Sequence, residues 1–538
     1  MIQTARPAAY PGILALGLLL GGASGAQTAP PPPAPANAQF AIKGFKITGE
    51  NPLSEAETTR ILAPFLRSDA SIETLQKATA ALEAALRDKG FGLHRVALPP
   101  QEVGDTVTLN IIKFAINKVT VEGLARYDEA NIRRSVPELK EGTTPNFKTL
   151  AVQTAIANEN QGKQTTVSLK ESDEPDKIDA NVKVLEAKPW NFAINWANTG
   201  TAATGKDRLT FAGGHSNLFD RDQQFVGAYT TSVSNPGNVK QLGLSYRIPL
   251  YALGGVIGVS HTRSDVVGNF GAFTSTGAGR TNGINYTLYI PPDGGYRSYV
   301  TLSLDDKLFN GTQINGAPAA LDTRSRPLSL AYNARKESDT SLLTYNTELA
   351  FNLGGGSGNN LNAYTNGGTN LIYDTTSFKV LRAGVNYSAG FGKDWLWSAR
   401  GLTQYSPNAL IAGEQFGLGG SSSVRGTGER VIAGDRGLFT SVEITTPPVR
   451  DGLRLLGFVD AGWLYNNNNA VASGNPARPA NDKLASAGLG LRFANASGVA
   501  LTADYGYVFN GSDVPLTINS TAPKKGDTKL HLNLSVRF

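Results

Sequence analysis

Side chains able to do covalent or metal chemistry are few and scattered in this sequence. The four histidines, His94, His215, His261 and His531, lie far apart, with no pair at metal-ligand spacing. Cysteine is absent, which removes disulfide frameworks, thiolate metal sites and cysteine nucleophiles together. No GxSxG, Walker A or GxGxxG motif is intact. The GLGG stretch at Gly417 precedes no helical pattern, so it makes a poor phosphate cradle. Nothing here calls for a catalytic residue, a metal or another cofactor. The residues that stand out are charges set among glycines. One stretch, GLGGSSSVRGTGERVIAGDRG, carries Val424-Arg425-Gly426 and Gly434-Asp435, and a second, FVDAG, carries Phe458, Asp460 and Gly462. Period two puts Phe458, Asp460 and Gly462 on one face of a strand and Val459, Ala461, Trp463 and Tyr465 on the other. By themselves these residues leave open that Arg425 is a solvated loop arginine and that Asp460 merely lines a wet pore.

The elements that must position them are strands. From Pro189 to the end the chain alternates: Leu343, Tyr345, Thr347, Leu349, Phe351 and Leu353 share one face, and Thr344, Asn346, Glu348 and Asn352 the other. About sixteen such segments recur, at about 22 residues per strand and connection, which suits membrane strands of about 9 to 11 residues plus turns. The polar faces carry Arg382, Asn386, Asn533 and Arg537, while apolar faces end in aromatics. A wet lumen and a lipid belt explain both. Long connections (about 264–282, 307–322, 354–375, 406–436, 466–481 and 510–527) alternate with short ones (291–295, 335–339, 392–394, 447–451 and 495–498). Short turns belong on the periplasmic side and long loops outside. The Gly/Asn-rich stretches at Gly354 and Asn466 fall in the long set. Leu530, Leu532, Leu534, Val536 and Phe538 then form the last strand.

Ahead of the barrel lies a duplicated module. FAIKGFKITG at Phe40 recurs as FAINKVTVEG at Phe114, and each copy continues into helical pattern. In the first copy Ser54 and Glu57 form a capping box, and a second helix follows Ser71 with Ile72, Leu75, Leu82 and Leu86 on one face and Gly90 as its stop. Strands are predicted over Phe91–Leu98 and Val107–Ile112, giving the order β-α-α-β-β. The second copy predicts helices around Asp128–Val136 and Asn146–Ala157 and strands near Thr165–Leu169 and Ile178–Leu185, with KESDEPDK as a solvated turn. The chain begins with the pattern of an export signal: Arg6, the apolar run Ile13–Leu20, and the small residues Ser24-Gly25-Ala26 before Gln27. APPPPAP follows, an extended linker. A length of 538 residues exceeds one ordinary core. Only 17% of residues are charged and 60 are glycine, a composition that fits exported outer-membrane proteins and other β-rich proteins alike. The net charge of +6 is spread without a basic block, which excludes nucleic acid as a partner.

With these residues in place the chain resembles the two-partner secretion transporters, the TpsB family of ShlB and FhaC type, within the BamA-like outer-membrane superfamily. The family's inward-loop signature VRG(F/Y) matches Val424-Arg425-Gly426, its GD pair matches Gly434-Asp435, and its F-x-D-x-G strand signature matches Phe458, Asp460 and Gly462. The resemblance implies two periplasmic α+β POTRA domains followed by a 16-stranded antiparallel transmembrane β-barrel. The divisions expected are a signal peptide over 1–26, a Pro-rich linker over 27–38, POTRA domains over 39–113 and 114–188, and a barrel over 189–538 with an inward loop at about 406–436. It implies an outer-membrane protein with POTRA domains in the periplasm, passing an unfolded TpsA-like exoprotein to the cell surface without catalysis. Its other partners would be outer-membrane lipid and the barrel assembly machinery, the latter reading a signal that ends in Phe538, and its working form a monomer. The other readings are a BamA-like assembly factor, to which two modules rather than five are poorly suited, and a diffusion porin, which needs no periplasmic module. On the family pattern Arg425 offers Asp460 a bidentate partner, in a wet lumen that would screen the attraction. Thr427 stands where the family has Phe or Tyr, and Gln27–Phe40 leaves no room for a plug helix.

Overall fold

The computed structural model describes residues 39–538 apart from 103, 203, 271, 276, 312, 315, 316, 319, 368–372 and 468–478. The expected signal peptide and Pro-rich linker lie outside the described residues.

In the first module Ser54 caps helix α1 (Glu55–Leu62), its side chain accepting from the Glu57 N–H, and Ser71 with Thr74 caps α2 (Ile72–Asp88). Both helices cover a three-stranded sheet in which Gly44–Gly49 runs parallel to Thr106–Lys113, itself antiparallel to His94–Ala97. Leu75, Ala78, Leu82 and Leu86 meet Val107, Leu109 and Ile111 in the core. Ile72 is 65% exposed, contrary to expectation, because the stripe extended one helical turn back from Leu75 falls on the cap Ser71. The strand expected over Phe91–Leu98 shrinks to His94–Ala97, since Phe91 N–H bonds back to the Leu86 carbonyl and His94 N–H to that of Phe91, keeping 91–93 in a turn. The second module repeats the plan. Helices α3 (Glu129–Ser135) and α4 (Phe147–Ala157) pack on a sheet with Lys177–Glu186 at its centre, Ala115–Glu122 on one edge and Lys163–Glu171 on the other. The charged stretch turns over Ser172–Asp176, as its composition predicts.

Among the described residues sixteen antiparallel strands close the barrel. They are β1 (Trp190–Ala197), β2 (Arg208–Leu218), β3 (Gln223–Thr231), β4 (Gln241–Leu250), β5 (Gly255–Ser264), β6 (Gly279–Asp293), β7 (Tyr296–Phe309) and β8 (Pro327–Glu337, prolonged by Thr323–Ser325). The second half is β9 (Ser341–Asn352), β10 (Lys379–Phe391), β11 (Trp395–Tyr405), β12 (Arg436–Thr445), β13 (Leu453–Tyr465), β14 (Asn481–Ala494), β15 (Val499–Asn510) and β16 (Thr528–Arg537). The seam joins β16 to β1, from Asn533 opposite Ala197 to Arg537 opposite Ala193. The last strand stops one residue short of the expected end, but Phe538 N–H still reaches the Phe192 carbonyl at 2.9 Å. Val459, Trp463, Leu489 and Tyr505 stay exposed on the outer face, as lipid-facing residues do, while Asp460, Ser486, Asp504 and His531 are buried on the inner one. The Gly354 loop carries a helical turn, Leu361–Thr365, whose Tyr364 joins Tyr373 and Phe378 against Leu410 and Ile411.

A buried ion pair docks the second module on the barrel. Lys163 Nζ lies 2.7 Å from Asp222 Oδ2 with the two side chains 0% and 2% exposed. Asn131, Asn160 and Tyr251 complete the Asp222 shell, and Val152 and Ile156 of α4 pack on Tyr251 and Val256 beside it. Burial pulls the Lys163 ammonium below the usual lysine range, and Asp222 opposes that shift.

Candidate functional site

Between β11 and β12 the chain turns back into the lumen as a hairpin, pairing Phe416–Leu418 with Ile432–Gly434. At its tip Arg425 grips Asp460 in a fork, Nε to Oδ2 at 2.7 Å and Nη2 to Oδ1 at 2.8 Å, and its own backbone N–H reaches Oδ2 at 3.1 Å. Ser441 Oγ donates to Asp460 Oδ1 at 2.7 Å, so both carboxylate oxygens are saturated. The third guanidinium nitrogen reaches Glu443 at 2.6 Å and stands 3.7 Å from Asp504, which Arg492 holds from the far side. The guanidinium also lies 3.5 Å from the Phe458 ring centroid. Arg425 is 4% exposed and Asp460 0%, so the pair is dry, against the expectation of a screened contact. The loop itself is the cause: folded against the wall, it excludes the water that would have screened the pair.

The rest of the two motifs falls into place by packing. Val424 is fully buried among Leu418, Ile432, Phe439, Leu464, Leu484 and Val508. Gly462 opens a notch for Leu418, whose side chain would lie 2.6 Å from any Cβ there. Asp435 is buried and accepts from Leu410 N–H at 2.9 Å, Gln415 Nε2 at 3.1 Å and Asn467 N–H at 3.0 Å, tying the two arms of the loop to the β13–β14 connection. Thr427, in place of an aromatic, is buried too. Its hydroxyl donates to the Val424 carbonyl at 2.9 Å and accepts from Gly420 N–H at 3.1 Å, closing the tip by hydrogen bonding instead of ring packing.

Sequence reasoning missed Ser441, Glu443, Asp504, Arg492 and His531, whose Nε2 accepts from Gly426 N–H at 3.1 Å. Alternation could have turned each of them inward. Only the closure of β12–β16 into one arc brings Ser441, Glu443 and Asp504 to the arginine, Arg492 to Asp504 and His531 to the neighbouring Gly426. Beside it a cavity of about 360 Å³ remains in the lumen, lined by Thr344, Asn386, Arg400, Ser422 and Glu443 among others.

The haemolysin secretion/activation protein family ShlB/FhaC/HecB matches residues 176–493, and the ShlB-type POTRA domain matches residues 40–113. The chain is similar to the outer membrane transporter CdiB of Dickeya dadantii (strain 3937), 24% identical over 80% of this chain and 77% of the relative. It is similar as well to that of Escherichia coli, 21% identical over 80% of this chain and 74% of the relative. In fold it resembles solved CdiB from Escherichia coli, with TM-score 0.72 at 17% identity over 94% of this chain and 93% of the other. CdiB from Acinetobacter baumannii gives 0.68 at 17% identity over 93% and 90%. The family match spans more than half of the sequence and includes the loop, its arginine and the carboxylate that holds it, and the chain therefore belongs to the haemolysin secretion/activation (ShlB/FhaC/HecB) family: it is an outer-membrane transporter of two-partner secretion, a 16-stranded barrel preceded by POTRA structure on the periplasmic side.

Proposed function

We propose that this transporter takes an unfolded TpsA-like exoprotein onto the edge of its second periplasmic module and feeds it into the barrel, whose lumen the inward loop closes at rest. The observation that carries the reading is the state of the edge strand Lys163–Glu171. Asn158 clamps both backbone groups of Thr165, accepting from its N–H at 2.6 Å and donating to its carbonyl at 2.9 Å. Two-residue alternation turns the N–H and C=O of Val167 and Leu169 the same way, outward, where an extended segment can add as a further strand. Main-chain bonding tolerates varied side chains, which suits an unfolded client.

The surroundings lead from that edge to the lumen. A groove of about 610 Å³ lies between the strand, α4 and the β6–β7 turn, lined by Phe147, Leu150, Val167, Leu169 and Arg297. A second cavity of about 460 Å³ shares Asn158, Pro292 and Arg297 with it and reaches Thr344 and Asn346 on the barrel wall. Thr344 also borders the cavity beside Arg425. Transport along this path needs no chemistry on the cargo. In this reading each chain works as a monomer, its own barrel enclosing the path, and Phe538 ends the segment offered to the barrel assembly machinery.

Leu169→Pro removes one outward N–H, and Leu169→Ala controls for lost packing. The proline variant is expected to secrete far less exoprotein than the alanine variant at equal barrel amount. Equal secretion by the two would reject the edge strand as the cargo site.

A further inference from the structure

The motif residues account for how the tip of the inward loop is held, but its outer arm has an attachment of its own. Glu414, on the helical turn Ala412–Glu414, is 2% exposed and sits against strands on the other arc of the wall. Its Oε1 accepts from Lys307 Nζ on β7 at 3.0 Å and from Ser325 Oγ at 2.8 Å, and its Oε2 from Arg382 Nη2 on β10 at 2.9 Å. Arg382 is itself oriented by Glu348 on β9 at 2.7 Å and by Gln404 on β11 at 2.9 Å. Gln404 closes the circuit by donating to the Glu414 carbonyl at 3.0 Å and to that of Asp435 at 3.2 Å.

The two attachments are mirror images in charge. At the tip a loop cation meets an anionic wall built by Asp460, Glu443 and Asp504. On the outer arm a loop anion meets a cationic wall built by Lys307 and Arg382. They share no charged partner. We propose that Glu414 is a second anchor of the loop, a positioning residue that fixes the outer arm to β7–β10, so that the loop leaves the lumen only when ion-pair clusters of opposite polarity on both arcs let go. The inference rests on the reading of the loop as the resting gate. A buried carboxylate saturated by two cations and a hydroxyl is costly to strand, which makes the outer attachment as decisive as the tip.

The absence of cysteine makes the test direct, since Ser422→Cys places a single thiol on the loop, lining the lumenal cavity. Its labelling rate by a bulky membrane-impermeant maleimide on intact cells reports how often the loop leaves the lumen. Glu414→Gln keeps the shape and removes the charge. It is expected to raise the rate about tenfold or more with the heat-modifiable barrel unchanged, whereas a merely structural role would leave the rate alone. Because the anchors are independent, Glu414→Gln and Arg425→Ala together are expected to multiply their increases. Labelling at the parent rate, or a double variant no faster than the faster single, overturns the inference. If Glu414→Gln does not assemble, Lys307→Met is read in its place, with the same expectation and the same overturning result. Should Arg425→Ala accelerate labelling and Glu414→Gln not, only the second anchor falls; should neither do so, the gate reading falls with it.

Discussion

Gly426 at the loop tip and Gly506 on β15 meet backbone to backbone: a Cβ on Gly506 would stand 2.5 Å from Gly426 N, and one on Gly426 2.8 Å from the Gly506 carbonyl oxygen. Gly426 also has φ +91°, so at that position a side chain would add backbone strain to the clash. Gly506→Ala separates the two effects, because its own backbone is ordinary. The added methyl is expected to push the tip off the wall, at a cost of about 1–3 kcal/mol. Planar-bilayer recordings should show larger or more frequent openings, with secretion reduced. Conductance like that of the parent would mean that the contact does not seat the loop.

Arg425 and Asp460 are buried together, so removing Arg425 strands the Asp460 carboxylate, a local loss of about 3–5 kcal/mol, while removing Asp460 takes away the fork and leaves Arg425 its contact with Glu443 and the more distant Asp504. Arg425→Ala and Asp460→Ala are each expected to abolish most secretion while the barrel still assembles. The double variant should be little worse than either single. Arg425→Lys should not rescue, since an ammonium cannot make the two-pronged contact with Asp460 and reach Glu443 as well. A double-mutant cycle on exoprotein in the medium, with barrel amount as control, decides the matter, and losses that simply add would show that the two residues act apart.

Lys163 and Asp222 make the same argument at the junction of module and barrel. Lys163→Met leaves Asp222 buried without its cation, and adding Asp222→Asn should recover part of the loss by removing the stranded charge. Hydrogen exchange in the full chain is expected to accelerate about a hundredfold or more over 163–171 and 216–222 in the single variant, the equivalent of about 3 kcal/mol. If both segments keep their protection, the pair does not dock the module.

At the C-terminus Phe538 is 73% exposed, and its N–H reaches across the seam to the Phe192 carbonyl at 2.9 Å. Deleting it is expected to lower the heat-modifiable barrel in the outer membrane more than it lowers synthesis, because an exposed terminal aromatic suits recognition during insertion better than it suits packing. Normal insertion of the shortened chain would assign the signal elsewhere.

What could be read from the residues alone was whatever depends on local order. Period two set the strands and turned Asp460 and Phe458 to one face; capping at Ser54 and Ser71 placed the module helices; spacing around Val424, Gly434 and Phe458 carried the family. A strand's two faces differ by chemistry within a few residues, so the pattern survives without knowledge of the fold. Tertiary structure alone decided that the Arg425–Asp460 pair is dry, because dryness comes from a loop packed over a wall some 35 positions further along the sequence. It alone brought Glu443 and Asp504 to that arginine, His531 to the Gly426 N–H beside it, and Lys307 and Arg382 to Glu414, since barrel closure sets which strands share an arc and no local signal encodes it. The same holds for Lys163 and Asp222. Each lies in an unremarkable stretch, and only the docking of two separately folded units makes one the other's partner.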